Sequence, residues 1–263
     1  MVKKAISILM MSVMLVTAAV PAQAAKVVTT PTSKLPKKTD VDRYKVTVNS
    51  NNGTRTFRIF FQGAYGKNTY IRQHGCAACS LTTVLSGYSK KYANYTPAKT
   101  CKILEKKVFG TRVWRSNYSK SPARKMPVSL YGITRVLKSC GIKSKYVRFF
   151  SDNKAINEIT SHLKTGNAVI IEVNNHTQKN GKISSAYNSR WATSKHTMVL
   201  LGMTNTGKAI VADSAYRTWS GSKQRVKYAK VSELVKYMIP CKRSSTKCYY
   251  TSVDVNGGYI LVN

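Results

Sequence analysis

Acid–base chemistry in this chain must come from a short stock of side chains. The 263 residues hold nine carboxylates (Asp40, Asp42, Glu105, Asp152, Glu158, Glu172, Asp213, Glu233 and Asp254) and four histidines (His74, His162, His176 and His196). Two stretches combine these with a nucleophile. The first is Gln73-His74-Gly75-Cys76-Ala77-Ala78-Cys79-Ser80-Leu81, and the second begins at His196 and ends at Asp213. The apolar spacing of Leu81, Val84, Leu85 and Tyr88 predicts a helix over 76–88, which puts Cys76 at a helix N-terminus. Unsatisfied N–H groups and the positive end of the helix dipole favour thiolate there, the nucleophilic form. A histidine against that sulfur can hold the ion pair and then protonate a leaving amine. A carboxylate on the other ring nitrogen fixes the tautomer.

The elements that must bring these groups together follow from pattern. HTMVLLGM at 196–203 and KAIVAD at 208–213 predict a hairpin around Thr204-Asn205-Thr206-Gly207. A two- or four-residue turn centred on Asn205-Thr206 puts Met198 opposite Asp213, and His196 then lies diagonally within reach on the same face. A three-residue turn would send His196 to the other face. Upstream, 54–62 reads as a strand and Gly63–Asn68 as a loop. Thr96-Pro97 reads as a helix start that places Cys101, Leu104 and Val108 on one face. Helices are expected over 128–140, stopped by Gly141, and over 154–165, ended by Gly166. A strand is expected at 168–173, a polar loop at 174–194, a short helix near 231–239 and a last strand in GGYILVN. Helices come first and an antiparallel sheet later, an α+β order rather than an alternating doubly wound one.

The wider composition bounds the setting. Lys3 and Lys4, an apolar run from Ala5 to Val20, Pro21 and Ala22-Gln23-Ala24 read as a signal peptide over 1–24. The run falls short of the roughly 20 residues of a membrane span, so export without a transmembrane segment is expected. Residues 25–53, rich in Lys, Thr, Ser, Val and Asn with Pro31 and Pro36, read as an extended linker or pro-segment, and 54–263 as the folded domain. An apolar fraction of 43% excludes wholesale disorder. Forty-four Lys and Arg against nine Asp and Glu give +35, a charge that acts on partners more than on fold. Outside a cell the polyanions to hand are bacterial wall polymers and anionic lipid. Export and the lack of an aromatic-basic motif argue against nucleic acid. A solvated basic surface explains the same charge.

GCAACSLTTVL at 75–85 resembles the nucleophile helix of papain-like cysteine peptidases akin to the double-glycine (bacteriocin) leader peptidases, whose pattern runs Gly-Cys-Gly-Pro-Thr-Ser-Leu-Ala-Met-Val-Leu. Cys76, Ser80, Leu81, Val84 and Leu85 match in register. FFQGAYGKNTY at 60–70 resembles the Gln-bearing segment before that helix, Thr96-Pro97 the next helix start, GNAVIIEV at 166–173 the strand before the histidine, and HTMVLLGM…GKAIVADS the segment that follows. The resemblance implies a papain-like fold, with a nucleophile helix and further helices packed on a C-terminal antiparallel sheet. It also implies hydrolysis through a thiol acyl-enzyme: Cys76 as nucleophile, His196 as base and acid, Asp213 orienting it and Gln62 donating to the oxyanion. It implies a peptide or protein substrate, no cofactor and no metal, and a monomer is expected. Ala77-Ala78 in place of Gly-Pro, Lys195 before the histidine where Gly is usual, and Ser214 after Asp213 where Pro is frequent are departures.

A second register resembles papain itself, with Cys79 as nucleophile and Gln73 as oxyanion donor. Other readings stay open. Cys76 and Cys79 could form a redox pair, although that motif wants a βαβ context; they could be half of a zinc site, or plain structural thiols. Cys101 and Cys140 are expected to be buried on apolar helix faces, and Cys241 and Cys248 to close a small disulfide loop. His162, near a helix C-terminus, is well placed for a cation. His176 is the rival catalytic histidine, and His74 reads as a loop residue. Trp191 and Trp219 are expected in core or cleft walls. A peptidoglycan-peptide amidase and a non-catalytic basic surface-binding protein on the same scaffold are the alternatives to a peptidase.

Overall fold

The computed structural model describes residues 26–29, 42–50, 53–62, 71, 75–100, 130–173, 196–215, 226–238 and 257–263. The elements that carry the fold begin with β1 (Lys26–Thr29), β2 (Asp42–Ser50) and β3 (Gly53–Phe60), then α1 (Cys76–Tyr88) and α2 (Leu130–Ser139). There follow β4 (Ser144–Val147), α3 (Asp152–Lys164), β5 (Val169–Val173), β6 (His196–Met203), β7 (Ala209–Ala212), β8 (Val226–Ala229), α4 (Val231–Val235) and β9 (Tyr259–Val262). The strands make two sheets, a three-stranded one in the order β1-β2-β3 and a six-stranded one in the order β4-β9-β5-β6-β7-β8. Every strand pairing among the described residues is antiparallel. The chain is thus α+β.

The six-stranded sheet is buried on both faces, and side-chain alternation sorts its residues into two cores. Ile170, Val199, Leu201, Ile210 and Ile260 face one core, shared with Leu81, Val84 and Leu85 of α1, Leu130, Ile133 and Leu137 of α2, and Val46, Val48, Phe57 and Ile59 of the small sheet. Ile171, Met198, Leu200, Val211 and Tyr259 face the other, shared with Ala155, Ile159 and Leu163 of α3 and Leu234 and Val235 of α4. Helices therefore cover both faces rather than stacking on one. This is why 169–173 reads as an unbroken apolar run: all five residues are buried.

Residues 42–50, expected in a linker, form the central strand of the small sheet. Its alternation places Val46 and Val48 inward beside Phe57 and Ile59, and Lys45 and Thr47 outward. The Thr47 and Thr56 hydroxyls meet across the pair at 3.0 Å. The boundary drawn at 53/54 cuts this hairpin at Gly53, whose φ of 102° makes the turn. The linker reading of 42–50 is corrected accordingly; residues 1–25 and 30–41 lie outside the described residues.

α1 is the central helix, buried continuously from Ala77 to Leu85. A helix wedged between two sheets has no solvent face, so its polar residues must bond inside the protein. Thr83 donates to the carbonyl oxygen of Arg58, and Ser86 Oγ accepts from the Arg58 N–H at 2.9 Å, binding α1 to β3. Gly87 lets the strand approach, since a Cβ there would lie 2.3 Å from the Phe57 ring. At the other end, Tyr88 Oη accepts from the Ala168 N–H at 2.7 Å and donates to the Val262 carbonyl at 3.2 Å. The Arg55 guanidinium lies 4.5 Å from its ring centroid. Tyr88→Phe keeps the ring and strips both partners of this hydroxyl; it should cost about 1–3 kcal/mol in thermal or denaturant unfolding.

α2 and α3 end as their glycines predict, at Gly141 (φ 76°) and Gly166 (φ 79°), and Ser151 caps α3 through the Lys154 N–H. The Thr96-Pro97 helix start is present over 97–100, with Thr96 Oγ1 accepting from the Lys99 N–H. Its continuation past residue 100, with Cys101, Leu104 and Val108, lies outside the described residues. α4 is shorter than expected, ending at Val235.

Candidate active site

The site lies where the start of α1 meets the open ends of β6 and β7. Gly75 sets the helix start: its N–H bonds Ile71 O at 2.9 Å, and its own carbonyl takes the Cys79 N–H. A Cβ on residue 75 would fall 2.3 Å from Ile71 O, so the contact admits only glycine without backbone movement. Cys76 is then the first helical residue, half-buried, with no acidic side chain in the first turn to offset the dipole. Four residues on, one helical turn along the same stripe, Ser80 donates to the Thr197 carbonyl at 3.1 Å. This buried bond ties the nucleophile helix to the strand that begins with His196.

The β6–β7 hairpin pairs Val199 with Ala212 and Leu200 with Val211. Carried one step further, that register sets Met198 opposite Asp213, but not through the even-numbered turn expected: the Thr204 N–H bonds Lys208 O at 2.8 Å and Met203 pairs with Ala209, which leaves the three-residue loop 205–207. That loop closes through Gly207 at φ 74°, and a one-residue register shift between Leu200 and Met203 offsets its odd length and returns His196 to the face of Asp213. His196 and Asp213 are each 2% exposed or less, and His196 Nε2 lies 2.8 Å from Asp213 Oδ1. Nε2 being taken, Nδ1 is the ring nitrogen left for Cys76, with which His196 shares a hydrogen bond.

The charges are mutually supporting. Burial pushes the Cys76 thiol up, but the hydrogen bond and charge of His196, with hydrogen bonds from the backbone and side chain of Thr197, outweigh it and hold the thiol below its ordinary value. Burial pushes His196 down, yet Asp213 first and Cys76 second raise it to about 10. Asp213, penalised by burial, is nonetheless held well below the usual carboxylate range by His196 and Lys227. Its Oδ1 also accepts from the Ala215 N–H at 2.9 Å, and Oδ2 takes Lys227 Nζ at 2.6 Å. Neighbouring opposite charges thus favour imidazolium and thiolate together.

Gln62 reaches the same place from the small sheet. Its N–H bonds the Ser214 carbonyl at 3.0 Å, and its Oε1 accepts from Ser214 Oγ at 3.2 Å. Ser214, noted in the sequence only as a departure from Pro, therefore fixes which end of the amide is which. Pro would lack the hydroxyl.

The structure brings Cys76, His196 and Asp213 together and sets Gln62 against Ser214, the next residue along. Cys79, the nucleophile of the alternative register, is fully buried in α1 and 0% exposed; Gln73 lies outside the described residues, as do His74, His176, Lys195, Trp191, Trp219, Cys101, Cys241 and Cys248. His162 is held below its ordinary value, against the expectation of a cation at that helix end. Burial pushes it down more than its bond to the Val262 carbonyl raises it. Cys140 is half-buried against the first core. Among the described residues no group of three or more His, Cys, Asp or Glu is placed to hold a metal. Sequence reasoning missed Thr197 and Lys227. Thr197 was hidden inside an apolar strand; Lys227 was one of 44 basic residues.

Residues 56–239 match the model of the Peptidase_C39 like family, more than half of the chain. The chain belongs to that family. A search among curated proteins finds no match. Family membership indicates a cysteine peptidase and agrees with a half-buried cysteine at the centre of the cluster.

Proposed function

We propose that the chain is an exported cysteine peptidase with a papain-like architecture. The observation that carries this reading is the Cys76–His196–Asp213 chain, with the half-buried sulfur at a helix N-terminus and the buried imidazole anchored at 2.8 Å by Asp213. The Cys76 thiolate attacks the scissile carbonyl carbon. The Cys76 N–H and the Gln62 amide stabilise the oxyanion. Imidazolium gives its proton to the leaving nitrogen as the C–N bond breaks, leaving a thioester. Neutral His196 then takes a proton from water, hydroxide adds to the thioester, and the thiolate departs with the proton back on the imidazole. The signal-peptide pattern supports export, and the charge that remains once Lys3 and Lys4 leave with residues 1–24, 35 − 2 = +33, supports residence on anionic wall polymers. That charge also favours a second reading, an amidase cutting peptidoglycan stem peptides by the same chemistry.

The test is substrate trapping. The protein, lacking residues 1–24, is incubated with a pooled peptide library and, separately, with soluble peptidoglycan fragments, then quenched in acid for intact-mass analysis. Cleaved peptides with an acyl adduct on Cys76 are expected. Adducts from wall fragments alone would establish the amidase. Absence of turnover and adduct with both would overturn the enzyme and leave a basic binding protein.

A further inference from the structure

Asp213 is shared between two cations. His196 Nε2 sits on Oδ1 at 2.8 Å and Lys227 Nζ on Oδ2 at 2.6 Å, so the carboxylate bridges an imidazole and an ammonium group. The contact is built by the sheet. β8 pairs Val211 with Lys227, and Asp213 is two residues beyond Val211, the diagonal position within reach of a long side chain. Asp213 is 2% exposed and Lys227 only 15%, so water screens this pair weakly. The charged groups around His196 among the described residues are Cys76 from α1, Asp213 beyond β7, Lys227 from β8, and the buried Glu172 on β5, paired with Thr197.

We infer that Lys227 is a positioning residue that offsets the charge of Asp213, so that the carboxylate orients His196 without holding its proton too tightly for transfer to the leaving amine. This rests on the peptidase reading above. A carboxylate alone against a buried imidazole would raise the imidazolium further still and make the general acid a poorer proton donor. With Lys227 in place the Asp213–Lys227 unit is close to neutral and behaves toward the ring as an oriented dipole. The ammonium also fixes the second carboxylate oxygen, and with it the plane in which Oδ1 meets Nε2.

The sign of the effect follows from charge. Removing a cation near the dyad favours the protonated form of every neighbouring group, so both the thiol and the imidazolium should titrate at higher pH. The experiment is the rate of iodoacetamide alkylation of Cys76 against pH, with mass mapping. It uses protein lacking residues 1–24 as wild type, Lys227→Met, Lys227→Gln, Lys227→Arg, Asp213→Asn and the Asp213→Asn/Lys227→Met double variant. Lys227→Met should move the rise in labelling to higher pH by about one unit. Lys227→Gln, which keeps an N–H donor, should match it if Lys227→Met folds poorly, and Lys227→Arg should restore the wild-type profile. Asp213→Asn alone leaves the ammonium facing the imidazole without its counter-charge, and labelling at about pH 6 should fall at least roughly tenfold. The double variant removes both charges and should recover most of that loss.

A Lys227→Met and Lys227→Gln profile superimposed on wild type, or a double variant no better than Asp213→Asn alone, would overturn the role of Lys227 while leaving the dyad intact. Wild-type Cys76 alkylating only as a free thiol would overturn the dyad, and this inference with it.

Discussion

Cys76→Ala should reduce peptide hydrolysis at least about 10⁴-fold, whereas Cys79→Ala should leave it within roughly threefold. The two thiols are three residues apart on one helix, and their surroundings differ. Cys76 opens α1, is half-buried, and is bonded to His196 and Thr197. Cys79 has no exposed surface and lies one turn deeper, among the buried residues of the same helix. A substrate carbonyl can approach the first and cannot approach the second without unfolding the turn between them. Cys79→Ala should therefore register in stability instead, at about 1–2 kcal/mol for a small buried side chain. Turnover of a trapped peptide and the unfolding midpoint, measured on both variants, decide the point. Retained hydrolysis in Cys76→Ala, with loss in Cys79→Ala, would move the nucleophile to the papain register.

The contrast also shows which parts of the site were legible in the chain. Apolar spacing predicts α1 over 76–88, and the structure has it there, because a helix start followed by four apolar positions at helical intervals has few other solutions. The β6–β7 hairpin was legible for the same reason, including the diagonal that joins His196 to Asp213. The turn parity has no such signal: the loop is the three-residue one, and His196 still meets Asp213 because the register shift between Leu200 and Met203 compensates for it. β2 was lost for a compositional reason. Lys, Thr and Asn in 42–50 resemble a linker, although Val46 and Val48 alternate as a half-buried strand should. In such a segment period-two alternation, and not composition, carries the strand signal.

The remaining members of the site had no one-dimensional signal. Lys227 reaches Asp213 because β8 pairs with β7, a fact of sheet order and not of spacing. Ser214 meets Gln62 only because the end of the small sheet is brought to the open end of the large one. The same holds for β9, whose insertion between β4 and β5 makes the last strand of the chain a central one. Long-range pairing carries the arrangement around the catalytic groups; local pattern carries the groups themselves.

His196→Ala should be nearly as damaging as loss of the nucleophile, with hydrolysis falling about 10³- to 10⁴-fold, and it should also change the chemistry of the surviving thiol. In the intact protein Cys76 titrates below its ordinary value and His196 at about 10, so thiolate and imidazolium coexist between the two. Alkylation of Cys76 should accordingly begin well below the roughly 8.5 of a free thiol. Hydrolysis should decline on the alkaline side as His196 loses its proton near 10. Without the imidazole, the main influence lowering the thiol is gone and burial still raises it. The midpoint for alkylation should move up to or beyond the free-thiol value, and labelling at about pH 6 should fall by two orders of magnitude. The helix N-terminus and Thr197 survive the substitution, so the shift isolates what His196 contributes. An alkylation profile unchanged by His196→Ala would show that the helix and Thr197 alone activate Cys76, and the imidazole would then have no part in forming the nucleophile.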